Sequence, residues 1–280
     1  MRSEDLMNVE EMKATLTMAS MEDKKGDRSK QLHEDEEEAK WHGTSSHMWF
    51  AMDDVSGAPL DPKLVEKARR EEMKYFKEMG VYVKVSKQEC WEQTAKDPIA
   101  VRWIDINKGD TENPNYRSRL VAKEFKTDIN PELYAATPPS ECLRMLISRM
   151  ASQEGSEMMY ADVSRAYFYA KAVRPVYVKL PDEDRGEGDD EMCGRLMMSM
   201  YGTRDAATNW AAEYNGTLLQ EGYERGQANT CLFHNPKTNV AVMVHGDDFV
   251  AVGDKKGLAG VRGALEEKYK LKVQTLGTRK

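Results

Sequence analysis

Three aspartates carry the chemistry that this sequence suggests. Asp247 and Asp248 are adjacent in Ala241-Val-Met-Val-His-Gly-Asp-Asp-Phe-Val-Ala-Val252, between two short apolar runs. Each run has the length of a buried strand, and Gly246 allows a tight turn between them. Asp162 ends another apolar stretch, Met158-Met-Tyr-Ala-Asp162. Carboxylates at buried strand ends are costly unless a cation or a base partner neutralises them. Three of them, drawn from two such segments, suit a site that holds two divalent cations for phosphoryl transfer. Aspartate also favours ordinary turns, where it bonds its own local backbone. Residue type and spacing alone therefore leave both a solvated turn and a metal site open.

The elements that must position these residues can be read from periodicity. Pro62 to Met79 has Leu64, Ala68, Met73 and Phe76 near one face, and Gly80 follows as a stop, so a helix is predicted. Val81 to Val85 alternates like a strand. Ile99 to Ile106 and Tyr116 to Ala122 read as a hairpin whose tip is the polar Asn107 to Asn115. Lys108, Arg117, Arg119 and Lys123 make that hairpin basic, and by themselves they fit an ordinary solvated strand face better than a phosphate site. Ser140 to Ser152 is a helix with Ser140 as cap and Leu143, Leu146, Ile147 and Met150 as its apolar stripe. The Asp162 strand follows, then a short strand Val176 to Leu180 and an acidic loop from Pro181 to Glu191. A helix from Asp205 to Gln220 carries Ala207, Trp210, Ala211, Tyr214 and Leu218 on one face. Strands Cys231 to His234 and Val240 to Val244 flank a turn. A helix Lys255 to Lys270 and a strand Leu271 to Thr275 close the chain. This order predicts an α+β fold, an antiparallel sheet with helices packed on one face.

Composition bounds the rest. The chain has 280 residues, 40% hydrophobic and 32% charged, and a formal net charge of -7. Residues 1–40 hold 12 acidic and 7 basic residues, and the remaining 240 hold 36 and 34, so the body is nearly neutral. Tight nucleic-acid binding by charge alone is disfavoured, because phosphate contacts need clustered Lys and Arg. Residues 1–57 read as an acidic, weakly ordered leader that includes Glu34-Asp-Glu-Glu-Glu38. No apolar stretch is long enough for a membrane span or a secretory signal, which predicts an intracellular protein, cytoplasmic or nuclear. Cys90, Cys142, Cys193 and Cys231 are scattered, with no Cys-x-x-Cys pair, so zinc and disulfides are not expected. His33, His42, His47 and His234 belong to no constellation.

These segments, in this order, resemble the reverse transcriptase domain of copia-type (Ty1/copia) retrotransposon Pol polyproteins. The resemblance runs from about Leu64 to Gly277. Arg102-Trp103 to Lys108 resembles the family's Lys-Trp-Val-Phe-Lys-Ile-Lys strand. Tyr116-Arg-Ser-Arg-Leu-Val-Ala-Lys-Glu-Phe125 resembles Tyr-Lys-Ala-Arg-Leu-Val-Ala-Lys-Gly-Phe. Tyr134-Ala-Ala-Thr-Pro138 stands where Tyr-Ser-Pro-Val is expected. Asp162-Val-Ser-Arg-Ala-Tyr-Phe resembles Asp-Val-Lys-Thr-Ala-Phe-Leu, and Val176-Tyr-Val-Lys-Leu-Pro181 resembles Val-Tyr-Met-Glu-Gln-Pro. Met200-Tyr-Gly-Thr-Arg-Asp-Ala-Ala-Thr-Asn-Trp210 resembles Leu-Tyr-Gly-Leu-Lys-Gln-Ala-Pro-Arg-Ala-Trp. His245-Gly-Asp-Asp stands for Tyr-Val-Asp-Asp, and Thr275-Leu-Gly277 for a later Leu-Gly.

The resemblance implies a right-hand polymerase fold with fingers and palm in residues 58–280. It implies an RNA-directed DNA polymerase acting on dNTPs and a primed RNA or DNA template. It assigns Asp162, Asp247 and Asp248 as catalytic ligands of Mg2+, with Mn2+ as substitute, and the Val163 carbonyl as a further oxygen ligand. Tyr167 matches the aromatic gate that excludes a ribose 2′-hydroxyl, and Tyr201 and Gly202 line the nucleotide pocket. Lys108 and Arg119, then Arg117, become triphosphate contacts, so the resemblance selects against a solvated hairpin face. The chain stops just after Leu276-Gly277, before the primer-gripping, thumb and ribonuclease H regions expected as partners, which implies a fragment of a polyprotein or a truncated copy.

Departures from the pattern leave a second reading, a catalytically degenerate remnant that at most binds nucleotide or nucleic acid. His245-Gly246 replaces Tyr-Val, Thr203 to Thr208 replaces Leu-Lys-Gln-Ala-Pro-Arg, and Tyr169-Ala170 replaces Asn-Gly. The ordered motifs argue against an unrelated two-metal enzyme such as a nuclease.

Overall fold

The chain divides into two units, Met1–Met48 and Trp49–Lys280. The computed structural model describes residues 51–125, 133 and 135–277, all in the second unit. The expected leader up to residue 50, and Tyr134, lie outside the described residues.

The described elements run in chain order as β1 (Ala51–Met52), β2 (Pro59–Leu60), α1 (Pro62–Glu78), β3 (Tyr82–Ser86), α2 (Lys87–Thr94), β4 (Val101–Asn107) and β5 (Tyr116–Ala122). There follow α3 (Ser140–Ser152), β6 (Ser156–Val163), a 3-10 turn Ala166–Tyr169, β7 (Tyr177–Val178), β8 (Met192–Leu196) and α4 (Ala206–Gln220). The last are β9 (Glu224–Arg225), β10 (Leu232–Asn235), β11 (Val240–His245), β12 (Asp248–Asp254), α5 (Lys255–Lys268) and β13 (Leu271–Gly277).

Local chemistry accounts for most boundaries. Asp61 caps α1 by accepting from the Lys63 amide at 2.8 Å, and Pro62 supplies the fixed φ of a first helical residue. Asp254 caps α5 through the Gly257 amide at 2.6 Å. α2 answers to the capping-box spacing Ser86-x-x-Glu89, with the Glu89 amide donating to Ser86 Oγ at 3.1 Å. Hydrophobic periodicity alone predicts no helix there. The expected Ser140 cap is not made: Pro139 holds the cap position of α3 without a side-chain bond. Of the α3 stripe only Leu146 is buried, joined by Cys142, while Ile147 is exposed.

One six-stranded sheet, in the order β13-β6-β12-β11-β10-β9, is antiparallel throughout. Side chains alternate across it. Met159, Ala161, Val163, Val242, Val244, Phe249 and Ala251 share a core with Trp210, Tyr214 and Leu218 of α4 and Leu258, Val261 and Leu265 of α5. The opposite face carries Met158, Met243, Val250 and Val252, all buried. α3 lies against β6, β11 and β12, and its buried Cys142 and Leu146 stand apart from the α4–α5 core. The expectation of helices on one face thus gives way to helices on both.

A second core gathers Met73 and Phe76 of α1, Leu120 and Ala122 of β5, Phe168, Val176, Val178, Leu196 and Met200. It lies among the β4–β5 hairpin, α1 and the three-stranded sheet β3-β8-β7. The two cores meet at the 3-10 turn, where Phe168 enters the second and Ala166 and Ala170 enter the first. The expected leader boundary at residue 57 falls inside the β1–β2 hairpin. That hairpin belongs to the body, because Asp53 accepts from the Asn107 amide and Asp54 from the Asp105 amide, at 2.7 and 2.8 Å. No helix among the described residues is long and apolar enough to cross a membrane.

Candidate active site

The register of the large sheet decides which side chains meet. Asp162 of β6 stands directly opposite Asp248 of β12. On the other side of β6, Lys272 of β13 stands opposite Asp162. His245 of β11 stands opposite Asp248. Directly opposed residues share a face at about 4.5–5.5 Å between Cβ atoms. Lys272, Asp162, Asp248 and His245 therefore form one row across four strands, on the face away from α4 and α5.

β11 and β12 are joined by the two residues Gly246 and Asp247. Gly246 has φ +63°, at the first central position, which type II′ hairpin turns reserve for glycine. Two bonds pin the turn. The Val163 amide donates to the Asp247 carbonyl at 2.9 Å, and Trp210 Nε1 donates to the Gly246 carbonyl at 2.7 Å. The first fastens Asp247 to the strand end that carries Asp162. The second reaches it from α4, whose Trp210 is 1% exposed. Trp210→Phe keeps the ring in the core and removes this donor. It is expected to cost about 1–3 kcal/mol, the penalty of stranding a buried carbonyl, read as a lower urea midpoint with unchanged slope.

The electrostatics are those of crowded carboxylates. Asp248 is 5% exposed. Its carboxyl is raised to about 7, by burial first and by the charges of Asp247 and Asp162, against the Tyr160 hydroxyl, which donates to Asp248 Oδ1 and holds it down. Burial and the Asp247 charge likewise raise Asp162, against the opposing pull of Lys272, Arg119 and Lys108. Like charges directly opposed in a sheet are destabilising, so this pair costs stability in the absence of a cation.

The hairpin supplies two of those opposing charges. The Arg119 guanidinium lies 4.5 Å from the centroid of the Tyr201 ring, and Tyr201 packs on Tyr167 with centroids 4.7 Å apart. Lys108 follows β4 at the exposed tip. Arg117 lies two residues along β5 from Arg119 and is absent from the main influences on Asp162. Tyr201 and Gly202 fasten the hairpin as well as border it, for the Ala122 amide donates to the Tyr201 carbonyl at 2.8 Å. Nearby, Arg165 pairs with Glu72 of α1 at 2.7 Å and lies 3.6 Å over the centroid of the Tyr75 ring.

Lys272, Tyr160 and the Glu72–Arg165 pair are not among the residues that the sequence motifs single out. Tyr160 had a usable signal, since two residues before Asp162 on a strand means the same face. Lys272 had none, because its neighbour is set by register between distant strands.

Among the described residues no three His, Cys, Asp or Glu side chains are gathered as a metal-binding group; Asp248 is turned to the Tyr160 phenol. The donor set nevertheless fits a hard divalent cation. It offers carboxylate oxygens, which suit Mg2+ and Mn2+, and its mutual repulsion is what a cation relieves.

A family model described as reverse transcriptase (RNA-dependent DNA polymerase) matches residues 90–278. The retrovirus-related Pol polyprotein from transposon TNT 1-94 of Nicotiana tabacum is 25% identical over 215 residues, covering 74% of this chain and 16% of that protein. The transposon Ty1-DR4 Gag-Pol polyprotein of Saccharomyces cerevisiae is 28% identical over 120 residues, 41% of this chain and 7% of that protein. The chain spans under a fifth of the length of these curated relatives.

Proposed function

Since this chain belongs to the reverse transcriptase (RNA-dependent DNA polymerase) family of copia-type retrotransposons, we propose that it is the fingers–palm module of an RNA-directed DNA polymerase. The six-stranded sheet with α4 and α5 is the palm. The β4–β5 hairpin, α1 and the three-stranded sheet are the fingers. The observation that carries the reading is the directly opposed pair Asp162–Asp248, half-buried and buried in turn, beside Asp247, with Arg119, Lys108 and Lys272 as the opposing charges. A structural sheet position would not keep two like charges opposed.

Asp162, Asp247 and Asp248, with the Val163 carbonyl, are the ligand set for Mg2+, which Mn2+ can replace. When bound, such cations lower the pKa of the primer 3′-hydroxyl and offset charge on the departing pyrophosphate. Lys108 and Arg119 hold the triphosphate of the incoming dNTP, with Arg117 nearer the hairpin tip. Lys272, beside Asp162, adds a third positive charge at that end. Tyr201 and Gly202 border the nucleotide pocket. The Tyr167 ring, tilted against Tyr201, lies under the sugar and rejects a 2′-hydroxyl. The other regions of a Pol polyprotein and a primed template are the partners.

The decisive test is dNTP incorporation on a primed RNA template, with Mg2+, with Mn2+ and with chelator. Metal-dependent extension by the wild type is the expected outcome. No extension with either metal would favour the second reading, a catalytically degenerate copy. That reading draws on Gly246, which puts no side chain beside the paired aspartates where the family has valine. The sugar contact has its own test: Tyr167→Ala should narrow the preference for dNTP over rNTP by about 10–100-fold. An unchanged ratio in competition assays would remove Tyr167 from that role.

A further inference from the structure

We infer that Tyr160 is a positioning residue for the cation site, holding Asp248 by its Oδ1 so that Oδ2 is left to the metal. The inference rests on the reading of Asp248 as a cation ligand. Tyr160 pairs with Val250 across β6 and β12. Asp248 is two residues from Val250 on the same face, so phenol and carboxylate are diagonal neighbours, within reach of an aromatic side chain. The Tyr160 hydroxyl donates to Asp248 Oδ1.

The geometry has a consequence for ligation. A carboxylate offers acceptor sites on both oxygens. A donor fixed on Oδ1 takes one site and restrains the rotation of the group, because the phenol stands on a strand and its ring is half-buried. Asp248 is itself buried, so no water shell can orient it instead. Carboxylates that ligate metals are commonly held in this way, and losing the outer partner costs about 10–100-fold in metal affinity. Tyr160 also lies two residues from Asp162 on the same face of β6.

The test is Mn2+ binding to the full chain, followed by electron paramagnetic resonance of the free ion, for wild type, Tyr160→Phe, Tyr160→Gln and Asp248→Asn. Far-UV circular dichroism verifies that each variant folds. Tyr160→Phe keeps the ring and removes the donor, and should weaken Mn2+ binding about 10–100-fold. Tyr160→Gln restores a donor on a shorter side chain and should recover part of the loss. A merely structural tyrosine would lower stability in both variants and leave Mn2+ affinity alone. Unchanged or tighter binding in Tyr160→Phe overturns the inference, the second case making the phenol a competitor of the cation. If Asp248→Asn binds Mn2+ as the wild type does, the ligand assignment itself fails, and the inference falls with it.

Discussion

Asp247→Asn is expected to reduce dNTP incorporation by on the order of 10³-fold or more, while the protein stays folded. The figure corresponds to losing about 4 kcal/mol of transition-state stabilisation, at the upper end for one preorganised charge. The fold should survive because the structural bonds of this residue run through its backbone. Its carbonyl accepts from the Val163 amide at 2.9 Å, and asparagine preserves that bond and nearly the same volume. The removed charge is moreover a burden on the folded state, since it raises both Asp162 and Asp248. The variant should therefore melt at the wild-type temperature or slightly above, the usual sign of a site that trades stability for function. Measuring turnover and melting on the same preparation separates the cases. Equal turnover in wild type and variant would show that Asp247 holds no essential charge. A large fall in melting temperature would show that its role is structural.

Gly202→Ala should be the most damaging small substitution in the body of the protein. Gly202 has φ +82°, and a Cβ there would stand 2.0 Å from the Ala122 carbonyl oxygen and 2.9 Å from the Ala122 nitrogen. Both obstacles are backbone, so no side-chain rotation relieves them. The left-handed conformation costs a non-glycine residue about 1–2 kcal/mol, and overpacking typically adds about 1–3 kcal/mol. The combined loss of about 2–5 kcal/mol should lower the melting temperature by roughly 4–20 °C at this size. The cheapest escape is to draw β5 away from Tyr201, breaking the bond between the Ala122 amide and the Tyr201 carbonyl. That would carry Arg119 off the Tyr201 ring, so the KM for dNTP should rise together with the loss of stability. A melting temperature within about a degree of the wild type would mean that the contact between hairpin and loop is soft.

Much of this molecule could be read locally. The hairpin β4–β5, the strands around Gly246-Asp247 and the helices α1, α4 and α5 follow from alternation, helical spacing and caps such as Asp61 and Asp254. These are interactions between residues a few positions apart, and their geometry is the same wherever the segment ends up. The ordered motifs from Arg102 to Gly277 then identified the family, which the match over residues 90–278 bears out. Where local reading failed, a weak signal met a strong neighbour. α2 has few buried residues, so its capping box had no apolar stripe to accompany it. The start of α3 went to Pro139 rather than to a Ser140 cap.

The sequence by itself determined most of the longer elements, the tight turn at Gly246 and the presence of three aspartates at strand ends. Only the tertiary structure decided that Asp162 faces Asp248, that Lys272 and His245 complete the row, and that the Tyr160 phenol takes Asp248 Oδ1. It also set α3 on the face opposite α4 and α5. The reason is physical. Which strands pair, and in what register, depends on the joint burial of Trp210, Phe249, Leu265 and their neighbours in one core. A slip of one residue would turn every side chain of a strand to the other face, and no segment taken alone carries that information.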